Sequence, residues 1–292
     1  MTDTRIEIRP LPAALGAVVR CDNISGLDPE DRALIKRAWL DHLILVFPGQ
    51  SLTRDEQINI TRIFGEYEDA VAYGEKTKGV LLVSNQPGGE LGAGELRWHS
   101  DQSFNEKPAS ASLLHAIEIP PIGGNTWFNN MYVAWDTLPT ELRKAVSGRT
   151  IKNDGSQDSA GGVRPGRARV TDILGYIGPS HPIIRTHPET GNNSLYLGRR
   201  PNAYINGLPL EESESVLDEL WLHATRSEAA HCHVWHVGDL LVWDNRAVMH
   251  RRDAFDETQC RILHRTQCAG ELPLYDPAAE SRGSHPRAGL KH

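Results

Sequence analysis

Four cysteines in 292 residues, Cys21, Cys232, Cys260 and Cys268, with no CxxC spacing among them, exclude both a disulfide framework and a zinc knuckle. Reduced, mostly structural thiols are expected. No apolar run approaches the roughly 20 residues of a membrane-spanning helix. The opening residues, Met1 to Arg5, lack the apolar core of a signal peptide, so the cytoplasm is the expected location. Basic residues are outnumbered, 31 Lys and Arg against 38 Asp and Glu, and the net charge of -7 argues against a nucleic-acid partner. A small anion remains compatible, because a pocket can be locally basic on an acidic protein. The chain has no internal repeat and no clean linker, which predicts a single domain over 1–292.

Helical signals are few. Asp28 before Pro29 reads as a cap and first-turn pair, with Leu34, Ile35, Ala38 and Trp39 on one face. Thr53 with Glu56 forms a capping box opening a second helix, which Gly65 closes. A third helix is predicted from about Glu211, burying Val216, Leu217, Leu220 and Trp221. The rest reads as short strands between Gly, Pro and Asn: Leu43–Phe47, Val80–Val83, Ser112–Ile117, Thr126–Phe128, Ser194–Leu197, His231–His236, Leu240–Trp243 and Ile262–Thr266. Many short strands that do not alternate with helices favour a mainly β sandwich or jelly roll with flanking helices. Residues 148–181 read as an irregular insert or lid, and 275–292 as a loose tail.

The sharpest local signal is Trp98-His99-Ser100-Asp101. On an extended segment His99 and Asp101 point the same way and can grip one ion. Such a pair lacks a third ligand, which non-haem iron(II) oxygenases draw from a distant histidine. Alone, the tripeptide is common. Late in the chain, however, Gly238 to Arg246 reads as a turn, an apolar strand and a polar loop, followed by Met249-His250-Arg251, which places His250 at a strand end facing a shared cavity. Arg261 and Arg265 follow at an even offset, on one strand face. An arginine fork suits a carboxylate bidentately.

These segments together resemble the taurine and 2,4-dichlorophenoxyacetate dioxygenase family of iron(II)- and 2-oxoglutarate-dependent oxygenases. The resemblance is carried, in order along nearly the whole chain, by Phe47-Pro48-Gly49-Gln50, the His99 motif with Phe104, Gly123-Gly124-Asn125-Thr126, His187-Pro188-Glu189-Thr190-Gly191, Trp243-Asp244-Asn245-Arg246 with His250, and Arg261. It implies a double-stranded β-helix (jelly roll, cupin-like), with His99, Asp101 and His250 as iron ligands and catalytic centre. It also implies Thr126 and Arg261 at the distal carboxylate of 2-oxoglutarate, with O2 as second co-substrate and Arg265 at the acidic group of the primary substrate. The implied reaction converts 2-oxoglutarate to succinate and carbon dioxide while a substrate C–H bond is hydroxylated, with or without later fragmentation. The Asp101 carboxylate occupies the position that halogenating relatives leave open for chloride. Oligomers are common among such enzymes, and no interface signal selects a state.

Plainer readings cover the remaining polar residues. His231, His233 and His236 lack further ligands at a metal spacing and read as strand histidines. His187 reads as structural, His115 as a satisfied core histidine, and Trp243 to Arg246 as the turn that sets His250. Arg199 and Arg200 suit either a solvated pair or a pocket mouth. Arg164, Arg167 and Arg169 read as a solvated loop, with a substrate lid the sharper alternative.

Substrate identity is less legible. Taurine-binding branches place a histidine and an asparagine before the metal motif, where this chain by offset has Ala70 and Glu95, while Tyr73 is retained. Tyr73 and Glu95 are accordingly candidate substrate contacts. Aryloxyalkanoates, alkylsulfonates and amino-acid-like metabolites stay open. Two other classes stand beside the oxygenase: a non-catalytic jelly-roll binder of a small acid, and a zinc-dependent hydrolase. A binder needs no iron ligands; a hydrolase lacks a general base beside the triad and leaves Arg261 without a task.

Overall fold

The computed structural model describes residues 6–72, 75–77, 79–226 and 230–282. Two β-sheets face each other as a double-stranded β-helix. The main sheet is built from β1 (Glu7–Pro10), β2 (Ala17–Arg20), β3 (Ile44–Phe47) and β4 (Leu81–Ser84). The second sheet begins with β5 (Leu96–His99), and β6 (Ala111–Glu118) returns to the main one. β7 (Thr126–Asn130) and β8 (Ala230–His233) belong to the second sheet, β9 (Leu240–Asp244) to the main, β10 (Val248–Arg252) to the second and β11 (Ile262–Cys268) to the main. The main sheet runs β1-β2-β3-β9-β6-β11-β4 and the second β8-β7-β10-β5.

Central strands are buried on both faces, so β9, Leu-Leu-Val-Trp-Asp, is apolar almost throughout and wholly buried. β11 alternates. Leu263, Arg265 and Gln267 face the second sheet, while Thr266 and Cys268 face helix α2 (Arg54–Phe64), where Thr61 Oγ1 donates to Thr266 Oγ1 at 2.7 Å. The inner core joins Leu114, Leu241, Trp243 and Leu263 of the main sheet to Phe128 and Val248 of the second. Outside the main sheet lie α2 and α1 (Pro29–His42), whose Trp39 packs edge-on against Phe64 at 5.4 Å between ring centroids.

Both expected caps are present. Asp28 accepts from the backbone N–H groups of Glu30 and Asp31 at 2.9 Å, and Thr53 and Glu56 exchange both bonds of a capping box. The buried face of α1 is Ile35, Ala38 and Trp39; Leu34, expected on it, is 37% exposed. Gly65 ends α2 in extended backbone, not a left-handed turn; a Cβ there would lie 3.1 Å from Cys268 Cβ, so glycine serves the close approach to β11.

Several strand bounds shift. Leu43 closes α1 with φ 66° and donates to Trp39 O, so β3 starts one residue later than expected. The predicted strand ending at Leu197 is Asn193–Leu195, and that ending at His236 stops at His233. α3 (Met131–Asp136) and α4 (Thr140–Val146) carry no sequence signal used above; Asn130 caps α3 by accepting from Tyr132 and Val133 N–H. α5 (Leu210–Ala224) buries Leu217 and Leu220, with Val216 and Trp221 only partly covered.

The irregular 148–181 stretch contains strands at its ends, Thr150–Lys152 and Ser180–Pro182. Between them the backbone is held by side chains. Asp158 Oδ1 accepts from Ala160 and Gly162 N–H at 2.9 Å, and Lys152 Nζ reaches the carbonyls of Ile173, Leu174 and Tyr176. The start of the tail is not loose: Asp276 N donates to Thr186 Oγ1 at 2.8 Å, and Pro277–Arg282 forms a 3-10 helix. Among the described residues no helix is long and apolar enough to cross a membrane.

Candidate active site

β5 ends at His99, and in the antiparallel pairing of β5 with β10 His250 lies directly opposite it. The rings sit 4.2 Å apart between centroids. The chain then turns, and Asp101 Oδ1 comes within 3.6 Å of His99 Nε2 and 3.9 Å of His250 Nε2. One ligand atom from each lies within 4.8 Å of the others, and all three residues are buried.

Protonation suits a cation. His99 Nδ1 donates to the Arg97 carbonyl at 2.7 Å, which leaves the Nε2 lone pair facing the centre. Burial holds both imidazoles below their ordinary range, hence neutral. Burial works against ionising Asp101, but the Arg265 guanidinium opposes it, and the carboxyl is held well below the usual range. Two neutral imidazoles and one carboxylate make up a donor set that suits divalent iron in a facial triad.

The second oxygen of Asp101 is held from the main sheet. Ser112 Oγ on β6 donates to Oδ2 at 2.7 Å, and Arg265 Nη2 on β11 lies 3.4 Å from it. Asn245 Nδ2 and Gln267 Nε2 both donate to Ser112 Oγ, at 2.9 and 3.0 Å. The Trp243 to Arg246 turn therefore reaches Asp101 through Ser112, in addition to preceding His250. Asn245 belongs to the turn expected to set His250, whereas Ser112 and Gln267 carry no such expectation; an even spacing marks Gln267 as facing inward with Arg265.

Arg261, the residue before β11, is 2% exposed. Its Nη2 donates to Gly124 O at 3.1 Å, its Nε has no hydrogen-bond partner, and among the described residues no carboxylate pairs with it. Burial, and then the neighbouring Arg252 guanidinium, push it down to about 9. Gly124 has φ +66°, and a Cβ there would sit 2.9 Å from Arg261 Nε, so the approach requires glycine. Thr126, two residues on, accepts from Trp235 Nε1 at 2.9 Å. A buried guanidinium without a counter-charge is costly, and a carboxylate ligand would relieve it.

A cavity of about 360 Å³ opens on the centre, lined by His99 and Asp101 together with Arg265, Arg199, Arg164 and Phe104. Of the arginines in the 148–181 segment Arg164 is half-buried and Arg167 exposed, both on the lining, while Arg169 is exposed and away from it. Arg199 faces inward, 8% exposed; Arg200 points out and pairs with Glu214 and Asp218 on α5. Glu95 does not face the cavity. It is exposed and lies 3.5 Å from Arg251. Tyr73 lies outside the described residues. His233 pairs with Asp239 at 3.1 Å, and among the described residues no metal cluster forms around it. His187 donates to Asp244 Oδ2 at 3.0 Å, and His115 bonds the Gln50 carbonyl at 3.0 Å, the structural and core roles expected of them.

Residues 7–267 match the family described as taurine catabolism dioxygenase TauD, TfdA family. The chain belongs to that family. It is 33% identical over 288 residues to the (S)-phenoxypropionate/alpha-ketoglutarate-dioxygenase of Sphingobium herbicidovorans, covering 96% of this chain and 98% of that one. It is 30% identical over 295 residues to the alpha-ketoglutarate-dependent 2,4-dichlorophenoxyacetate dioxygenase of a Burkholderia species, covering 90% and 95%. Among solved structures, that of AAD-2 in complex with Mn(II) and N-oxalylglycine superposes with a TM-score of 0.77 at 31% identity, covering 93% of this chain and 100% of that one. The TauD/TfdA member described here is thus an iron(II)- and 2-oxoglutarate-dependent dioxygenase (alpha-ketoglutarate being 2-oxoglutarate), with the jelly-roll fold expected. These relatives are neither non-catalytic binders nor zinc hydrolases.

Proposed function

We propose that His99 Nε2, Asp101 Oδ1 and His250 Nε2 hold the iron, that Arg261 with Thr126 receives the distal carboxylate of 2-oxoglutarate, and that Arg265 and Arg199 face the acid group of a small organic anion. The bound metal with 2-oxoglutarate and O2 supplies the oxidation, one oxygen atom passing to a substrate C–H bond and the other to succinate, with release of carbon dioxide. The residues of this chain do the rest. Ser112 keeps the Asp101 carboxylate turned so that one oxygen faces the histidines. Arg265, 3.4 Å from Asp101 Oδ2, sets an anion beside the reacting centre and not on it. The 148–181 segment, which brings Arg164 and Tyr176 to the lining, acts as the lid that keeps water out.

The substrate is a small organic acid, the broad class to which the phenoxypropionate, 2,4-dichlorophenoxyacetate and sulfate esters of the relatives' names belong, acted on in the cytoplasm. What carries the reading is the meeting of three buried ligand atoms with the Arg265 guanidinium, together with a second buried cation, Arg261, four residues earlier and bonded to Gly124 O. Oxygen-dependent succinate formation from 2-oxoglutarate, with added iron(II) and ascorbate over a panel of small acids, tests it. Succinate that rises with a panel member is expected; iron-loaded protein that forms none, even without substrate, would sink the reading.

A further inference from the structure

Resting on that reading, we infer that the substrate site takes a dianionic acid group, such as a phosphate ester, phosphonate or paired carboxylates, in preference to a singly charged one. Among the described residues four guanidiniums line the cavity, Arg164, Arg167, Arg199 and Arg265, against two carboxylates, Glu90 and Asp158, apart from the proposed metal ligand Asp101. The positive excess of two is not consumed by the catalytic groups. A divalent metal is balanced by Asp101 and one carboxylate of 2-oxoglutarate, and the other carboxylate meets Arg261, which is not on this lining.

The guanidiniums are also built in place with donors to spare. Arg199 is 8% exposed and held by its Nε, which donates to Ser159 Oγ at 3.1 Å, while its Nη1 has no partner among the described residues. Arg265 Nε is likewise buried and without a hydrogen-bond partner there. Arg164 donates through Nε to Gln157 O at 3.1 Å, and its guanidinium carbon stands 4.2 Å from the centre of the Phe104 ring; that of Arg199 stands 5.1 Å from the same ring. One phenyl ring thus carries two guanidiniums beside a third. Like charges gathered at this range repel, and a single negative charge leaves the cluster net positive. A tetrahedral dianion matches the excess charge, and its several oxygens suit the planar guanidinium forks.

The test compares acids that differ in charge alone. Binding of butyl phosphate and butyl sulfate, at a pH where the first is a dianion, is measured by calorimetry on the protein loaded with Mn(II) and N-oxalylglycine. The pair phenoxymethylphosphonate and phenoxymethanesulfonate repeats the comparison on an aryl skeleton. The dianion is expected to bind at least about 10-fold tighter in each pair, the factor that 1.4 kcal/mol represents. Arg164→Gln is expected to bring the dianion down to the monoanion's affinity, and Arg169→Gln, off the lining, to change neither. Equal or weaker dianion binding, no binding of any of the four, or a preference that survives Arg164→Gln overturns the inference. Loss of Mn(II) or N-oxalylglycine binding in the first step would count against the proposed metal and co-substrate sites instead.

Discussion

Ser112 Oγ donates a 2.7 Å hydrogen bond to Asp101 Oδ2, the carboxylate oxygen turned away from the two histidines. Because Asn245 and Gln267 both donate to the same hydroxyl, its own proton is directed at Asp101 alone. The main sheet thereby aims a carboxylate carried by the turn that follows β5. Ser112→Ala should weaken metal binding about 10-fold, the range seen when a partner of a metal ligand is lost. It should also destabilise the fold by roughly 1–3 kcal/mol, since two buried amides lose their acceptor. Ser112→Thr, which keeps the hydroxyl, should restore affinity. Mn(II) titration checks this, and unchanged affinity in the alanine variant would show that the bond does not orient the carboxylate.

Arg261→Ala should raise the 2-oxoglutarate KM by about 10- to 100-fold, the loss of one charge-assisted carboxylate contact of roughly 1.5–3 kcal/mol. Folding should suffer little, because the buried guanidinium has no counter-charge among the described residues and is crowded by Arg252. Succinate formation against 2-oxoglutarate concentration measures the first effect and thermal melting the second. An unaltered KM would remove Arg261 from the co-substrate site.

The parts legible in the sequence were those set by short-range rules. Asp28 and the Thr53–Glu56 box mark their helices because capping is local. His99 and Asp101 declare themselves by spacing, whereas the opposition of His250 to His99 depends on β10 pairing with β5 across about half the chain, which the resemblance supplied and spacing alone could not. Ser112 escaped notice because a serine in an apolar strand gives no sign of the carboxylate it will face. Arg164 reads as solvated, and Arg199 stays open, for a similar reason: an arginine outside a regular element looks solvated until the fold lays it on Phe104. Leu34 was misassigned because a helical stripe predicts direction but not how far the neighbouring sheet extends.

Glu95→Gln should change substrate KM by less than about 2-fold. The carboxylate is 61% exposed and its contact with Arg251 is 3.5 Å, a surface pair worth roughly 0–1 kcal/mol. Steady-state kinetics with whichever acid supports turnover would decide, and a large change in KM would place Glu95 at the substrate after all.

Stability should fall as pH drops below about 6.5, and His187 provides a clean share of that slope. Its Nδ1 accepts from the backbone N–H groups of Glu189 and Thr190 at 3.2 and 3.1 Å, and its Nε2 donates to Asp244 at 3.0 Å. A second proton would have to enter at Nδ1, against two donors. Burial, only partly opposed by the charge of Asp244, accordingly holds the imidazole below its ordinary range. The folded state thus keeps His187 neutral where the unfolded chain takes up a proton, so stability is present above the unfolded value and declines toward the folded one. One such proton gives a slope of up to about 1.4 kcal/mol per pH unit. His187→Gln, which cannot titrate, should lower stability at neutral pH yet flatten the slope just below about pH 6.5 by up to one proton. Urea unfolding across that range, with chelator present so that the metal ligands contribute equally to both proteins, provides the measurement. Parallel slopes would mean that His187 is protonated in the folded state.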